Sequence, residues 1–178
     1  MGPLELLAHP VRLRIVHAMR GDRTLTTAQL GALLPDVSKP MLYRHVDLLA
    51  GAGMLEVAEE RRVRGAVERH YRLRRDRVAI DREAATALST EDHRLAFAAS
   101  MAALLAEFTA YLDRDGSDPS ADPVGYAQHA IWLTDEELQA MVDELRRAIV
   151  PRLSNPPAAN RSRYLLSPIV FPSEPATD

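Results

Sequence analysis

The sequence predicts a mainly α fold with a small β wing: an N-terminal domain over residues 1–77, then an α+β region over 78–178. Three observations carry this. Apolar residues recur at helical spacing in three successive segments before Gly53, and a strictly alternating stretch, Val67-Glu68-Arg69-His70-Tyr71-Arg72-Leu73, follows at strand spacing. Charge then changes sign: the 22 Lys+Arg and 25 Asp+Glu divide as 13 and 8 over residues 1–75 and as 9 and 17 over 76–178. The net charge of −3 thus hides a basic half of +5 and an acidic half of −8. Opposite blocks in one chain point to separate tasks, one of them facing a polyanion.

Composition narrows the chemistry. With 178 residues, 47% of them hydrophobic, the chain is long enough to bury a real core. It has no cysteine, which removes disulfides, thiolate zinc sites and cysteine nucleophiles. No uninterrupted run of 18 apolar residues and no secretion-signal pattern occur, so neither a membrane span nor export is expected, and the location expected is cytoplasmic.

Leu4, Leu7, Ala8, Val11, Ile15 and Met19 predict one broken or two abutting helices from Pro3 to Arg20, with His9 as a cap and Pro10 in a first turn. Thr26 and Gln29 form a capping box that opens a short helix through Leu30, Leu33 and Leu34. After the turn at Pro35-Asp36-Val37, Ser38 caps a helix whose inward stripe is Leu42, Val46 and Leu49, and Gly51-Ala52-Gly53 stops it. Two strands, 54–59 and 67–73, flank a basic tip, Arg61-Arg62-Val63-Arg64-Gly65-Ala66. Three helices followed by a two-stranded ribbon is the winged helix-turn-helix order.

Ala8-His9-Pro10-Val11-Arg12-Leu13-Arg14-Ile15-Val16, then Ser38 through His45-Val46-Asp47-Leu48-Leu49, Ala52-Gly53-Met54-Leu55 and the Arg-rich wing ending in Tyr71-Arg72-Leu73 resemble the ArsR-type winged-helix repressors over roughly the first 75 residues. The resemblance implies a bacterial, homodimeric transcription regulator that holds double-stranded DNA. On the second helix of the motif, Lys39, Pro40, Tyr43 and Arg44 face outward, with Arg44 suited to a bidentate contact to guanine and Lys39 to guanine or phosphate. Thr27 and Ser38 stand at helix N-termini that can hold phosphates, and Arg61, Arg62 and Arg64 would straddle the backbone. His45 and Tyr71 are expected in the core.

In the acidic half, Ser89 caps a helix running to Arg114. Its apolar residues fall in two seams that share Met101 and Phe108, so the helix must be buried on two faces. Phe97, Met101, Leu104, Leu105 and Phe108 are the expected dimer contacts. Residues 126–133 read as a strand, Thr134 as the cap of an amphipathic helix through Leu138, Met141, Val142, Leu145 and Ile149, and residues 163–171 as an edge strand that pairs with the first. Trp132, Tyr126, Phe97, Phe108, Tyr164 and Phe171 leave room for a small hydrophobic effector, or are plain core.

Metal-sensing members of the resembled family need either cysteines, which are absent, or a carboxylate and histidine set on the dimer helix. That spacing is missing here, since His93 directly follows Asp92 and no other histidine lies on the helix. No Gly-rich phosphate loop, nucleophile elbow or HExxH occurs, so neither catalysis nor a cofactor is expected. The alternative function is a winged-helix module whose basic face docks an acidic protein and which has no operator.

Overall fold

The computed structural model describes residues 3–63, 65–74 and 88–174. The chain forms two compact units, residues 1–117 and 118–178. The first unit is mixed α/β and contains helices α1 (Pro3–Leu7), α2 (Pro10–Met19), α3 (Thr27–Leu33), α4 (Lys39–Gly51) and α5 (Thr90–Leu112), with strands β1 (Thr24–Thr26), β2 (Leu55–Val63) and β3 (Ala66–Leu73). The expected boundary at 77/78 falls outside the described residues, and the compact unit continues well past it.

Local chemistry sets most of these boundaries. His9 breaks the first helix from the second: its Nδ1 accepts the Val11 N–H at 3.2 Å, and Pro10 stands in the first turn of α2. Thr26 and Gln29 exchange both bonds of the capping box. At the end of α4, Gly53 takes φ 71°, its N–H reaches Ala50 O at 2.9 Å, and the Met54 N–H reaches Leu49 O at 2.9 Å. This paired closure needs a left-handed residue where glycine stands, and it buries Met54 beside Leu49.

The core gathers Ile15, Val16, Met19, Leu30, Leu34, Leu42, Val46, Leu49, Met54 and Tyr71, all buried. Leu33, on α3, is exposed. The wing is also larger than a two-stranded ribbon. Thr24-Leu25-Thr26 adds a third strand, in the antiparallel order β1-β3-β2, with Leu25 opposite Tyr71 and both buried. Three residues are too few to show alternation, so the strand reads as loop until its partner is in place.

Helix α5 packs on α1 and α2. Its inward face is not one of the aromatic seams but a ladder of alanines, Ala96, Ala99, Ala103, Ala106 and Ala110, at spacings of three and four, with Ala99 and Ala103 fully covered. Alanines let helix axes approach closely. Phe97 and Leu105 are exposed, while Met101, Leu104 and Phe108 are half-buried. By length and composition α5 could also cross a membrane, contrary to expectation. Its half-buried Glu107 meets the buried Arg14 of α2, as described below.

The second unit contains α6 (Asp135–Ile149) and a short 3₁₀ turn, Val150–Ser154. Thr134 and Glu137 form the expected capping box, with Thr134 Oγ1 accepting the Glu137 N–H at 3.2 Å. Neither expected strand forms over 126–133 or 163–171. Strands need a ladder partner, and none of the described residues supplies one. Of the aromatic residues expected to be either effector lining or plain core, Tyr126 and Trp132 are each 83% exposed, and Tyr164 and Phe171 are exposed as well, so these four are not core.

Candidate nucleic-acid interface

Two helices joined by the turn 34–38 define the site. The Val37 N–H closes the turn on Leu34 O at 3.0 Å, and the Asp36 carboxylate is gripped by Arg14 of α2 at 2.5 and 2.7 Å. Arg14 also donates to Glu107 of α5 at 3.2 Å, so one guanidinium joins α2, the turn and α5. The Arg14 bonds hold the Asp36 carboxyl below the usual carboxylate range. The orientation of α4 is therefore anchored at its N-terminal end as well as by its packed face.

That packed face is Leu42, His45, Val46 and Leu49, and the opposite stripe is Pro40, Tyr43, Arg44 and Asp47, all exposed. Both follow the i, i+3, i+4, i+7 spacing of one helix face. Lys39 flanks the outer stripe, and no ion pair joins Lys39 or Arg44 to a described residue. Ser38 occupies the cap position but its hydroxyl makes no capping bond, contrary to expectation. The hydroxyl is left available at an exposed helix N-terminus. Thr27, by contrast, is buried in the first turn of α3, so its side chain offers little to a phosphate.

An open cleft of about 360 Å³ lies between α4 and the wing, lined by Thr26, Thr27, Tyr43, Asp47, Glu68 and Arg69 among others. The outer stripe of α4 and strand β3 therefore share one side of the unit. The wing's charge is less free than its arginine count suggests. Glu59 accepts two bonds from Arg61, at 2.8 and 2.9 Å, Arg69 reaches Glu60 at 3.0 Å, and Arg72 reaches Glu56 at 2.5 Å. Glu59 and Glu60, which the strand pattern places simply at the surface, lie two residues or one strand away from these arginines and pair with them. Arg62 has no ion pair to a described residue, and Arg64 lies outside the described residues.

The helix pattern alone gives no sign of Arg12. Burial, then the nearby charge of Arg44, holds the Arg12 guanidinium below its usual value, and its Nε is buried without a hydrogen-bond partner. His9 and His45 lie beside this pair, with ring centroids 4.4 Å apart. Burial, then the charges of His9, Arg12 and Arg44, push His45 down to about 4, so it is neutral near pH 7.

A family model described as a helix-turn-helix domain matches residues 7–58, from the end of α1 into β2. Residues 7–58 form a helix-turn-helix domain. Its second helix is α4, and the match suggests a DNA-binding regulator, since in DNA-binding proteins of this architecture the second helix is the one that enters the major groove. No curated protein matches the chain.

Proposed function

We propose that the protein is a sequence-specific transcriptional regulator of the ArsR-like winged-helix type that acts as a homodimer on a pseudo-palindromic operator and represses by occupying it. The observation that carries this is the outer face of α4, where Lys39, Pro40, Tyr43 and Arg44 stand exposed within the helix-turn-helix domain while the opposite stripe is buried. Arg44 and Lys39 read base edges, Ser38 and Arg62 hold the backbone, and two copies place α4 in half-sites about one helical turn apart. Dimerisation runs through α5, with Phe97, Met101, Leu104, Leu105 and Phe108 at the contact. No catalytic step or cofactor is part of this function.

Selection of binding sites from random duplex DNA tests it directly. A half-site repeat should emerge. Affinity should fall by on the order of a thousandfold between about 50 and 200 mM salt if each dimer neutralises about six phosphates. A pool with no enriched sequence would overturn the proposal.

A second reading, a protein-docking module without an operator, is favoured by the internal neutralisation of Arg61, Arg69 and Arg72. It is distinguished by recovery of one stoichiometric acidic protein with no DNA retained. Gating by a small hydrophobic effector would add to the first function; a rise in melting temperature with such a ligand is its test.

A further inference from the structure

Arg12 and Arg14 lie two residues apart on α2, and the fold treats them in opposite ways. Arg14 is buried with two carboxylates on it, Asp36 and Glu107. The Nε of Arg12 is buried too, but no described residue accepts a hydrogen bond from Arg12 or forms an ion pair with it. Glu5, on α1, is the acidic group whose charge reaches Arg12, and the two form no ion pair. A buried polar nitrogen normally has a partner, so an orphan of this kind points to something that completes it.

The neighbours of Arg12 sharpen the mismatch. Arg44 of α4 lies close by, and the charges of both arginines reach His9 and His45, whose ring centroids are 4.4 Å apart. His45 is only 6% exposed, and its Nδ1 is a second buried orphan. Nδ1 of His9 is occupied by the Val11 N–H, so the neutral ring carries its proton, and its free donor, on Nε2. Helices α2 and α4 thus bring two guanidiniums and two imidazoles together with no described carboxylate in ion-pair reach of any of them. Burial and the two cations hold both rings below the usual imidazole range, so they are neutral near pH 7.

Arg12 is half-buried, so the outer edge of its fork reaches the surface, and Arg44 beside it is on the exposed face of α4. A phosphate group fits such a place: it is small, fully charged, and offers two unbridged oxygens to a planar fork while accepting from an imidazole N–H.

We propose that Arg12, with the His9–His45 pair, forms an anion site that takes one phosphodiester of the DNA backbone, and that the site draws a proton onto the histidine pair as it fills. The inference rests on the DNA-binding function proposed above and adds a contact from outside the two helices of the motif. Arg44 keeps its place on the base edges and lends the site its charge. The phosphate offsets the two guanidiniums, its negative charge favours the imidazolium, and the bound state therefore holds more protons than the free one.

The test uses the full chain, a duplex enriched from random DNA and a scrambled duplex. Arg12→Gln should weaken binding to both several-fold alike, lower the salt slope by about one counterion per copy and leave the preferred sequence unchanged. Its melting temperature should equal or exceed the parent's, since a cation without a partner is removed, whereas a merely structural residue would lose stability. Arg12→Lys, which keeps the charge without the fork, should restore the slope and only part of the affinity. In parallel, NMR follows the titration of the His9 and His45 rings in the free chain, with duplex, and with inorganic phosphate alone. Both rings should take up their proton at higher pH with stoichiometric duplex, and inorganic phosphate should match this only in large excess. An Arg12→Gln chain with the parent's affinity and salt slope overturns the site and leaves the DNA-binding function standing. Ring titrations unmoved by duplex do the same, and a shift produced by inorganic phosphate but not by duplex overturns the backbone assignment in favour of a free phosphate ligand. A parent chain that binds neither duplex overturns the function together with the site.

Discussion

Arg14, buried in α2, holds the half-exposed carboxylate of Asp36 through two hydrogen bonds of 2.5 and 2.7 Å across the helix-turn-helix turn. Removing one partner of a buried pair leaves the other uncompensated, but water reaches Asp36 and Glu107 still holds Arg14. Asp36→Asn should therefore cost about 1–2 kcal/mol, read as a lower urea midpoint with an unchanged slope. Because the Asp36 carboxyl is held below its unfolded value, its contribution is complete above about pH 4 and is lost as pH falls through the depressed value. An unchanged midpoint at pH 7 would show that the turn is held without this pair.

His45 sets a second pH dependence, of opposite chemical origin. Its folded form is neutral, with the pKa pushed down to about 4, while the unfolded chain binds a proton at about 6.5. Between those values the unfolded state binds more protons, so stability rises with pH across about 4 to 6.5 and is flat above. His9 is shifted the same way, first by burial and then by Arg12. Denaturation midpoints should fall from pH 7.5 to pH 5, and His45→Phe should reduce that fall. An equal fall in the variant would assign it to other groups.

How much of this was legible beforehand depended on where each determinant lay in the sequence. The caps at His9, Thr26, Ser89 and Thr134 and the stop at Gly53 are local, involving residues two to five apart, and all were readable. Strand β1 and the Arg14–Asp36–Glu107 link depend on contacts 22 to 93 residues apart, and nothing in the helical period marks them. On α5, side-chain size is a poor guide to burial, since Ala99 and Ala103 are its buried residues. Close packing selects alanines on that face, with Met101, Leu104 and Phe108 half-buried beside them and Phe97 and Leu105 exposed. Residues 126–133 and 163–171 have strand-like composition, but a strand exists only with its ladder. In the site, the outer face of α4 follows from the buried one, whereas the pairing of Glu59 with Arg61 is set by side-chain geometry that the strand pattern does not show.

Arg44 and Arg61 should respond differently to substitution. Arg44 has no ion pair to a described residue, so Arg44→Ala should relax specificity at one position of each half-site and cost about 1–3 kcal/mol of operator affinity. Loss spread evenly over all sequences would make Arg44 a phosphate contact.

Arg61 is partly spent on Glu59. Glu59→Gln removes that competitor and should tighten DNA binding on specific and nonspecific duplexes alike, steepening the salt slope by up to about one counterion per site. Glu59 is exposed, so the variant's melting temperature should stay close to that of the parent. A salt slope identical to the parent's would place the wing tip away from the phosphates.

Ala103 tests the mode of attachment of α5. It is completely covered where α5 meets the helices of the winged unit, and the flanking Ala99 and Ala106 keep that contact close. Inserting a larger side chain into a packed contact forces backbone shifts worth about 1–3 kcal/mol, so Ala103→Leu should lower stability by that amount. Ala98→Leu, on the exposed face of α5, gives the contrast. If α5 is attached through the alanine ladder, only the first variant destabilises the monomeric unit, and the second acts on dimer affinity alone. Equal melting temperatures for the two variants would mean that α5 does not pack through its alanine ladder, and the Arg14–Glu107 pair would then have to hold the helix unaided.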